Sequence, residues 1–525
     1  MQRRESLVVG AGVAGLAAAV ELAAQGREVT VLERAASPGG KMEGVRVSEH
    51  VLDGGPTVLT MRWVFDELFA SAGETFADHV DLARAEILAR HAWPDGAQLD
   101  LHAEVDASRA AIAAAFGARE AEGFGRFARD AAAIFETLDG VFLRANRPSL
   151  LDLITGVGLR GLPGLMRIRP FSTLWGAIGD YFEDPRLRQL FGRYATYVGS
   201  SPYRAPATLM LIAHVEQRGV WRVGGGMTAL ARALAALAEA CGARFEYGAE
   251  VETVERDASG VAGVRCTDGR SFSARQVLVT GDVAAVASGE FGQDLGRVAR
   301  VRRPGPPSLS AVTWNCVART SGFPLVHHNV FFSSDYAAEF DAIFDRRRRP
   351  AEPTVYVCAQ DRDAEDGAPP SGPERLLCLA NAPASGATPA DARERDEVDR
   401  WEAQVFARLE KMGLAIERHT GDTRRTTPVD WARRFPATGG ALYGPATHGW
   451  RSSFTRAGAK TALPGLYLAG GSTHPGAGVP MAALSGRQAA AAMLADSSST
   501  GRFVSAATSG GTSMGSATTD AKPSP

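Results

Sequence analysis

The start of the chain is the feature that most constrains its fold. Residues 6–9 (Ser-Leu-Val-Val) have the composition of a short buried strand, and the glycine loop Gly10-Ala11-Gly12-Val13-Ala14-Gly15 follows at once. The alanine- and leucine-rich stretch to about Ala24 predicts a helix, and residues 28–33 (Glu-Val-Thr-Val-Leu-Glu) predict a second strand. A GxGxxG loop between a strand and a helix, with another strand after it, is typical of a dinucleotide site.

The three glycines and the glutamate that ends the second strand have separate roles. Gly10 permits the tight turn, Gly12 lets the backbone approach a pyrophosphate, and Gly15 lets the helix pack against the strand. The helix N-terminus offers free N–H groups and a positive dipole end to the phosphates. Glu33 places a carboxylate where it can accept the ribose hydroxyls, and it disfavours the 2′-phosphate of NADP. A glycine-rich turn in an unrelated α/β protein is the alternative interpretation.

Three further glycine segments bear on which dinucleotide is bound. Residues 37–42 (Ser-Pro-Gly-Gly-Lys-Met) join two glycines to a cation, as a loop beside a pyrophosphate requires, although a surface turn is the alternative. Residues 53–57 (Asp-Gly-Gly-Pro-Thr) indicate a tight turn. Residues 467–481 predict a strand, a glycine turn and the start of a helix, whose N–H groups could face the pyrimidine end of a flavin. This last segment favours FAD over NAD.

Composition argues against several other classes of protein. The 525 residues suggest two to four structural units, and a net charge of −2 gives no overall attraction to nucleic acid. The five cysteines are scattered without CxxC spacing, which argues against a zinc site or a disulfide framework and favours a reducing compartment. We find no apolar run of about 18 residues and no signal peptide ahead of the first strand. We therefore expect a cytoplasmic protein that binds no nucleic acid.

One long stretch, residues 141–179, is both apolar and basic. An apolar face edged with arginine and interrupted by glycine and proline suits a segment that docks on anionic lipid. A pair of ordinary helices covering a core is the alternative. The single acidic residue is Asp152, and the arginines are Arg144, Arg147, Arg160, Arg167 and Arg169.

Titratable side chains give few candidates for catalysis or metal binding. His474 lies in the C-terminal glycine turn and is a candidate base, with a structural hydrogen bond to the backbone as the alternative. His327 and His328 are adjacent, and alternation along a strand would point them in opposite directions. No histidine spacing suggests ligands, so we expect no metal. The run of four arginines at 346–349 is interpreted as a solvated loop face.

Together these motifs resemble those of the bacterial phytoene-desaturase-type carotenoid dehydrogenases, from about residue 6 to residue 494. The most specific segments are Gly-Pro-Thr-Val at 55–58 and Thr-His-Pro-Gly-Ala-Gly at 473–478. Within that family the sequence is most similar to the 1-hydroxycarotenoid 3,4-desaturases, also called methoxyneurosporene dehydrogenases. The segments that carry this narrower resemblance are residues 55–65, 92–96, 446–450 and 478–486.

The resemblance implies an α/β fold with an inserted α+β domain. A Rossmann-like FAD-binding domain of the amine-oxidase and phytoene-desaturase type would be assembled from discontinuous pieces around a substrate domain. Residues at the C-terminus have almost no large apolar side chains and predict a disordered tail. The expected division is FAD-binding pieces at 1–90, 221–300 and 441–495, a helical, membrane-facing substrate piece at 91–220, a second substrate piece at 301–440, and the tail at 496–525.

The cofactor residues carry over from the family position by position. The cofactor residues from Gly10 to Arg34 would hold the ADP half of FAD, and Gly40 and Lys41 would lie along the pyrophosphate. Val251 would contact adenine through its backbone, and the residues from Gly470 onward would line the flavin. Many relatives have arginine at Lys41; lysine keeps the charge and loses the bidentate fork. The full expected set is Gly10, Gly12, Ala14, Gly15, Glu33, Arg34, Gly40, Lys41, Gly55, Pro56, Thr57, Val251, Gly470, Gly471, Val479, Pro480 and Met481.

The implied reaction removes two hydrogens from an acyclic carotenoid with a tertiary hydroxyl at C1 and creates a C3–C4 double bond, as in the conversion of 1-hydroxyneurosporene to demethylspheroidene. The allylic hydrogen would leave as hydride toward flavin N5, and a weak base or water could take the remaining proton. Oxygen or a membrane quinone would accept the electrons. Because lipid is as apolar as the substrate, moving the carotenoid from the bilayer into the protein gains almost no hydrophobic free energy. The tunnel that holds the substrate should therefore open at the membrane, and the protein should bind the inner or photosynthetic membrane peripherally.

Other functions stay open on the sequence alone. A phytoene desaturase or a carotenoid isomerase would use the same cofactor motifs. A flavin amine or porphyrinogen oxidase could surround its substrate with aromatic residues such as Tyr443, Trp450, Phe454 and Tyr467. A non-enzymatic lipid escort protein could retain the fold, although the intact cofactor motifs argue against it.

Overall fold

The computed structural model describes residues 5–146, 169, 171–362, 370–386 and 392–507. Its first sheet has five strands, all parallel, drawn from both ends and the middle of the chain. The expected α/β class is therefore confirmed. In spatial order the strands are β20 (Leu466–Leu468), β13 (Gln276–Val279), β1 (Glu5–Val9), β2 (Glu28–Glu33) and β9 (Arg244–Tyr247).

Apolar residues alternate between the two faces of this parallel sheet. Val8 and Val31 pack under helices, whereas Leu7 and Val9 pack on the opposite face. Because successive strand residues point to opposite faces, a continuous apolar run is what a sheet buried on both sides needs. The helices on the first face are α1 (Val13–Ala24), α9 (Met227–Ala240) and α15 (Val479–Ala507). The second face is covered by an antiparallel sheet of β10 (Val251–Asp257), β11 (Gly260–Cys266) and β12 (Ser271–Ser273).

The second sheet, called the large sheet below, is mixed and has eight strands. Helix α13 (Ala392–Lys411) packs on one of its faces, and helices from residues 105–217 pack on the other. The predicted domain boundary at residue 90 falls inside β6 (Ile87–Ala92), whose hydrogen bonds to β7 (Gln98–His102) and β15 (His328–Phe331) place it in the large sheet. The strand order is β18 (Leu414–Glu417), β14 (Ser310–Gly322), β17 (Glu374–Ala382), β16 (Val355–Ala359), β15 (His328–Phe331), β6 (Ile87–Ala92) and β7 (Gln98–His102), with β19 (Thr423–Thr426) also paired to β14.

The remaining elements connect and cover these sheets. Two small antiparallel pairs are β3 (Gly44–Val47) with β4 (His50–Asp53) and β5 (Leu82–Arg84) with β8 (Trp221–Val223). The other helices are α2 (Trp63–Ser71), α3 (Phe76–His79), α4 (Val105–Phe116), α5 (Ala118–Leu138), α6 (Leu174–Ile178), α7 (Pro185–Gly192), α8 (Leu211–Gln217), α10 (Val283–Ser288), α11 (Leu295–Val298), α12 (Tyr336–Phe344) and α14 (Pro428–Arg434).

The last helix is longer than the sequence predicts. It begins where expected but continues to Ala507, past residue 496 where the predicted tail starts; the disorder of that tail stays a prediction. The Asp496 carboxylate accepts hydrogen bonds from Lys460 Nζ at 2.6 Å and from the Tyr467 hydroxyl at 2.8 Å, which ties this turn to the parallel sheet. The rest of the predicted tail lies outside the described residues.

Most of the apolar, basic stretch predicted to dock on lipid, residues 147–168 and 170, lies outside the described residues. At its two ends, Arg144 and Arg169 form ion pairs with carboxylates. Phe171 is 84% exposed, which is unusual for a large apolar side chain. Within the described ranges no helix is both long enough and apolar enough to span a bilayer.

Candidate functional site

The first glycine loop has the close contacts that its sequence predicts. A Cβ atom at Gly15 would lie 2.0 Å from the Gly10 carbonyl oxygen, so only glycine lets helix α1 approach the strand this closely. Gly10 has φ +103°, a conformation that other residues rarely adopt. At Gly12, by contrast, a Cβ atom would meet no described atom within 4 Å. The space in front of the α1 N-terminus is therefore open, as a bound pyrophosphate requires.

The residues expected to hold ribose and adenine meet at one edge of the parallel sheet. Glu33 is buried, and its two carboxylate oxygens accept hydrogen bonds from Ala11 N (2.6 Å) and Ala35 N (2.8 Å). Arg34 forms an ion pair of 3.7 Å with Glu250, the residue before Val251. The side chain of Val251 is buried in the core, so only its backbone is available to a ligand, as expected.

The Gly39-Gly40-Lys41 segment runs against the first loop. A Cβ atom at Gly40 would lie 3.2 Å from Gly12 Cα, and Gly39 N donates to Ala11 O at 2.9 Å. Lys41 Nζ donates to the carbonyl oxygen of Leu442, and burial lowers the pKa of this lysine. That Lys41 lies along the pyrophosphate thus stays a prediction, since its amino group points to Leu442 here.

The Gly55-Pro56-Thr57 segment leads from this loop into the large sheet. A Cβ atom at Gly55 would lie 2.0 Å from the Lys41 carbonyl oxygen, so the backbones are in direct contact. After the partly buried Pro56, the Thr57 hydroxyl lies 2.7 Å from the Tyr356 hydroxyl on β16. The segment therefore joins the expected cofactor site to the second sheet.

The C-terminal glycine turn lies beside the first loop, although it is far away in sequence. Gly470 has φ +129°, and a Cβ atom there would lie 3.1 Å from the Thr280 carbonyl oxygen. Gly471 has more room, with its nearest neighbour at 3.7 Å. Val479, Pro480 and Met481 form the first turn of α15, so the N–H groups at this helix start lie at the turn, where they were expected.

Helices α1 and α15 pack closely near their N-terminal ends. A Cβ atom at Gly486 would lie 2.0 Å from the carbonyl oxygen of Ala14, so this glycine admits the α1 backbone. The contact therefore joins the first turn of α1 to a point about two turns into α15.

Two residues of this region were missed by the sequence analysis. The Thr280 hydroxyl donates to the carbonyl oxygens of Val9 (2.9 Å) and Gly10 (3.1 Å), and so fixes the glycine loop to the neighbouring strand. Arg456 is buried and donates to the Gly471 carbonyl oxygen at 3.0 Å; burial lowers its pKa to about 10. Neither residue lies in a glycine motif, so no local pattern indicated it.

His474, the candidate base, contacts Phe142. Its Nε2 donates to the carbonyl oxygen of Phe142 at 2.8 Å, and burial lowers its pKa. The ring also packs edge-on against the Phe142 ring, with centroids 4.8 Å apart. This is the hydrogen bond to the backbone that the alternative interpretation expects, and a catalytic role of His474 stays a prediction.

The adjacent histidines do not diverge as expected. Their rings are 4.5 Å apart, and His327, His328 and Cys358 bring possible ligand atoms within 4.8 Å of one another. The expectation was wrong because His327 precedes strand β15, so strand alternation does not apply to it. His328 Nδ1 bonds the Tyr356 hydroxyl at 2.7 Å. Burial raises the pKa of Cys358 to about 12, so the thiol stays protonated. That no metal binds stays a prediction.

Three of the four aromatic residues considered for an amine cage have partners elsewhere. Trp450 packs against Phe171, and Phe454 packs against Phe142. The Tyr467 hydroxyl is occupied by Asp496. Among the described residues, no ring contact joins any two of the four.

The assembled residues fit FAD. The open space at Gly12, the N-terminus of α1 and the half-buried cation Lys41 suit a diphosphate. The N-terminus of α15 and the buried Arg456 lie at the turn expected to face the flavin. Glu33 ends β2, where a ribose is expected. The carboxylate of Glu33 is already bonded to two N–H groups but retains lone pairs for hydroxyl donors.

Comparison with known proteins agrees with this site. The family model described as flavin containing amine oxidoreductase matches residues 13–494. The chain is 52% identical over 517 residues to a hydroxyneurosporene desaturase of Rubrivivax gelatinosus, covering 98% of this chain and 97% of that one. It is 45% identical to a hydroxyneurosporene desaturase of Cereibacter sphaeroides, covering 94% and 98%. An oxidoreductase structure from Methanosarcina mazei matches in fold, with a TM-score of 0.56 at 17% identity, over 92% of this chain and 99% of that one.

The chain therefore belongs to the flavin-containing amine oxidoreductase family, and its cofactor is FAD. The class of protein that the fold and site define is a flavin-dependent oxidoreductase. Within it, the full-length similarity to two desaturases confirms the resemblance to the carotenoid dehydrogenases, over the amine-oxidase and escort alternatives.

The open space at Gly12 gives a direct test of the cofactor site. Gly12 has an ordinary backbone conformation (φ −71°), so Gly12→Ala causes no steric conflict when no ligand is bound. The new methyl group would, however, occupy the position of the pyrophosphate. We expect FAD binding to weaken by roughly tenfold or more, a loss of about 1.4 kcal/mol, with unchanged unfolding of the FAD-free protein. Flavin absorbance per protein and FAD titration measure this.

Gly305→Ala is the matched control, because a Cβ atom there also meets nothing within 4 Å and the residue lies far from the loop in sequence. It should bind FAD like the unchanged protein. Equal FAD affinity of the Gly12 and Gly305 variants would contradict the assignment of this loop.

Proposed function

We propose that this protein introduces the C3–C4 double bond into an acyclic 1-hydroxycarotenoid, with 1-hydroxyneurosporene as the model substrate. The observation that carries the proposal is the 52% identity, over nearly the whole of both chains, to a protein named hydroxyneurosporene desaturase. The second such relative, at 45%, supports the same substrate class.

The bound flavin supplies the hydride acceptor for this chemistry. The residues of the chain position the cofactor and the substrate. The pKa values of Lys41 and Arg456 are lowered by burial, and among the described residues neither cation has a carboxylate at hydrogen-bond distance. An anionic cofactor offsets the cost of that burial. The Gly55–Thr57 segment joins the cofactor loop to the large sheet and so fixes the two relative to each other.

Product analysis tests this function. FAD-loaded protein should convert 1-hydroxyneurosporene in liposomes to a product lighter by two hydrogens, with absorption at longer wavelength because the conjugated chain is extended. The FAD-depleted Gly12→Ala variant is the control and should form less product in proportion to its flavin. Assays under nitrogen, with and without an added quinone, separate oxygen from quinone as electron acceptor. A product of unchanged mass would identify an isomerase instead.

We also propose that the protein is cytoplasmic and binds the inner or photosynthetic membrane peripherally. The reason is energetic: moving a carotenoid from lipid into a protein tunnel gains almost no hydrophobic free energy, so direct entry from the bilayer avoids exposing it to water. The apolar, basic stretch at residues 141–179 and the exposed ring of Phe171 at its edge support a docking surface there.

Liposome flotation tests the docking surface. Each arginine near an anionic bilayer contributes about 1 kcal/mol, so Arg160→Gln with Arg167→Gln should weaken binding to phosphatidylserine vesicles by about thirtyfold. Arg346→Gln with Arg348→Gln removes the same charge from an exposed loop elsewhere and should bind like the unchanged protein. Equal flotation of both double variants would reject this surface.

A further inference from the structure

A deeply placed arginine beside the cofactor site has few partners. Arg193 begins a 3-10 helix (Arg193–Val198), and its guanidinium lies 5.4 Å from the Tyr197 ring centroid and 5.6 Å from the Tyr356 ring centroid. Its one hydrogen bond, to the Tyr197 hydroxyl, is long at 3.4 Å. In the part of the chain that the structure describes, no carboxylate lies within ion-pair distance of it. Most of its five N–H donors therefore have no acceptor among the described residues.

Three neighbouring polar side chains are only half-buried. Arg193, Tyr197 and Tyr356 each retain accessible surface, and the two rings lie 5.4 and 5.6 Å from the Arg193 guanidinium. Their polar groups are therefore within reach of a ligand. We call Arg193, Tyr197 and Tyr356 the polar wall.

The polar wall combines one permanent charge with neutral hydroxyl groups. The Tyr197 hydroxyl donates to Glu216 at 2.6 Å, and Tyr194 donates to the other oxygen of the same carboxylate at 2.9 Å. Glu216 is therefore held behind the wall by two tyrosines. On its accessible side, the wall offers N–H donors from Arg193 and the phenolic oxygen of Tyr197 as an acceptor, whereas the Tyr356 hydroxyl is already bonded to Thr57 and His328.

The polar wall also adjoins the cofactor segment. The Tyr356 hydroxyl lies 2.7 Å from Thr57 Oγ1, and Gly55 packs directly on the Lys41 backbone. In a 1-hydroxycarotenoid the hydroxyl-bearing carbon C1 is only two carbons from C3. A group that binds this hydroxyl must therefore lie near the flavin. The 3-10 helix that carries Arg193 is capped by Gly199, where a Cβ atom would lie 2.6 Å from the Tyr443 side chain, and a Cβ atom at Gly444 would lie 2.7 Å from Ser472 in the C-terminal glycine turn, where the flavin is expected.

We propose that the polar wall binds the tertiary C1 hydroxyl of the substrate and so sets which bond reaches the flavin; this inference rests on the proposed function. Arg193 donates to the hydroxyl oxygen, and a tyrosine oxygen of the wall accepts the hydroxyl proton. A methoxy end group keeps the acceptor and loses the donor. An end group without oxygen leaves the Arg193 donors unpaired against methyl groups, which a site built for a hydroxyl rejects strongly.

Selectivity measurements test the polar wall. Selectivity is measured as the inhibition constant of neurosporene divided by the Michaelis constant for 1-hydroxyneurosporene, with FAD-loaded protein in liposomes. Arg193→Met should lower this ratio by about 10- to 100-fold, as expected for losing hydrogen bonds from a charged group. Tyr197→Phe, which preserves shape, should lower it less. Arg218→Met, on an exposed residue just after helix α8, is the control and should keep the original ratio.

The outcomes separate this inference from the proposed function. If the unchanged protein forms no product from 1-hydroxyneurosporene, the proposed function fails. If it forms product but Arg193→Met and Tyr197→Phe keep the original ratio, the polar wall does not bind the hydroxyl and the function stands. If Arg193→Met does not fold, an unchanged ratio in Tyr197→Phe alone overturns the inference.

Discussion

The close backbone contacts at the start of helix α1 are the constraint on which the cofactor site depends. A Cβ atom at Gly15 would lie 2.0 Å from the Gly10 carbonyl oxygen, and one at Gly486 of α15 would lie 2.0 Å from the Ala14 carbonyl oxygen. The N-terminus of α1 is consequently fixed behind the glycine loop, where it presents a positive dipole end without an ionised side chain. Lys41 and Arg456 add charge at this place, and the lowered pKa of each reflects its burial.

The connection between the cofactor loop and the large sheet explains how one chain serves both cofactor and substrate. The segment from Asp53 to Thr57 contacts the cofactor loop through Gly55 and the large sheet through Thr57. Asn315 on β14 also donates to the Asp53 carbonyl oxygen at 2.8 Å. A few residues thus fix the relative position of the two sheets, and with it the distance from the polar wall to the flavin.

Local patterns predicted the parts of the site that depend on local backbone geometry. The roles of Gly10, Gly12 and Gly15 follow from spacing alone, because turn and helix geometry are set within a few residues. Thr280, Arg193 and Arg456 could not be predicted, since only the tertiary fold brings them to the site. The extension of α15 was missed because its composition resembles a disordered tail, whereas contacts of Asp496 with Lys460 and Tyr467 stabilise it.

Anaerobic titration of the FAD-loaded protein with 1-hydroxyneurosporene in liposomes tests the central claim most directly. If the protein is a flavin-dependent desaturase, each equivalent of substrate consumed bleaches one equivalent of flavin absorbance and yields one equivalent of the more conjugated product. Flavin absorbance that stays unchanged while the carotenoid binds would contradict the account.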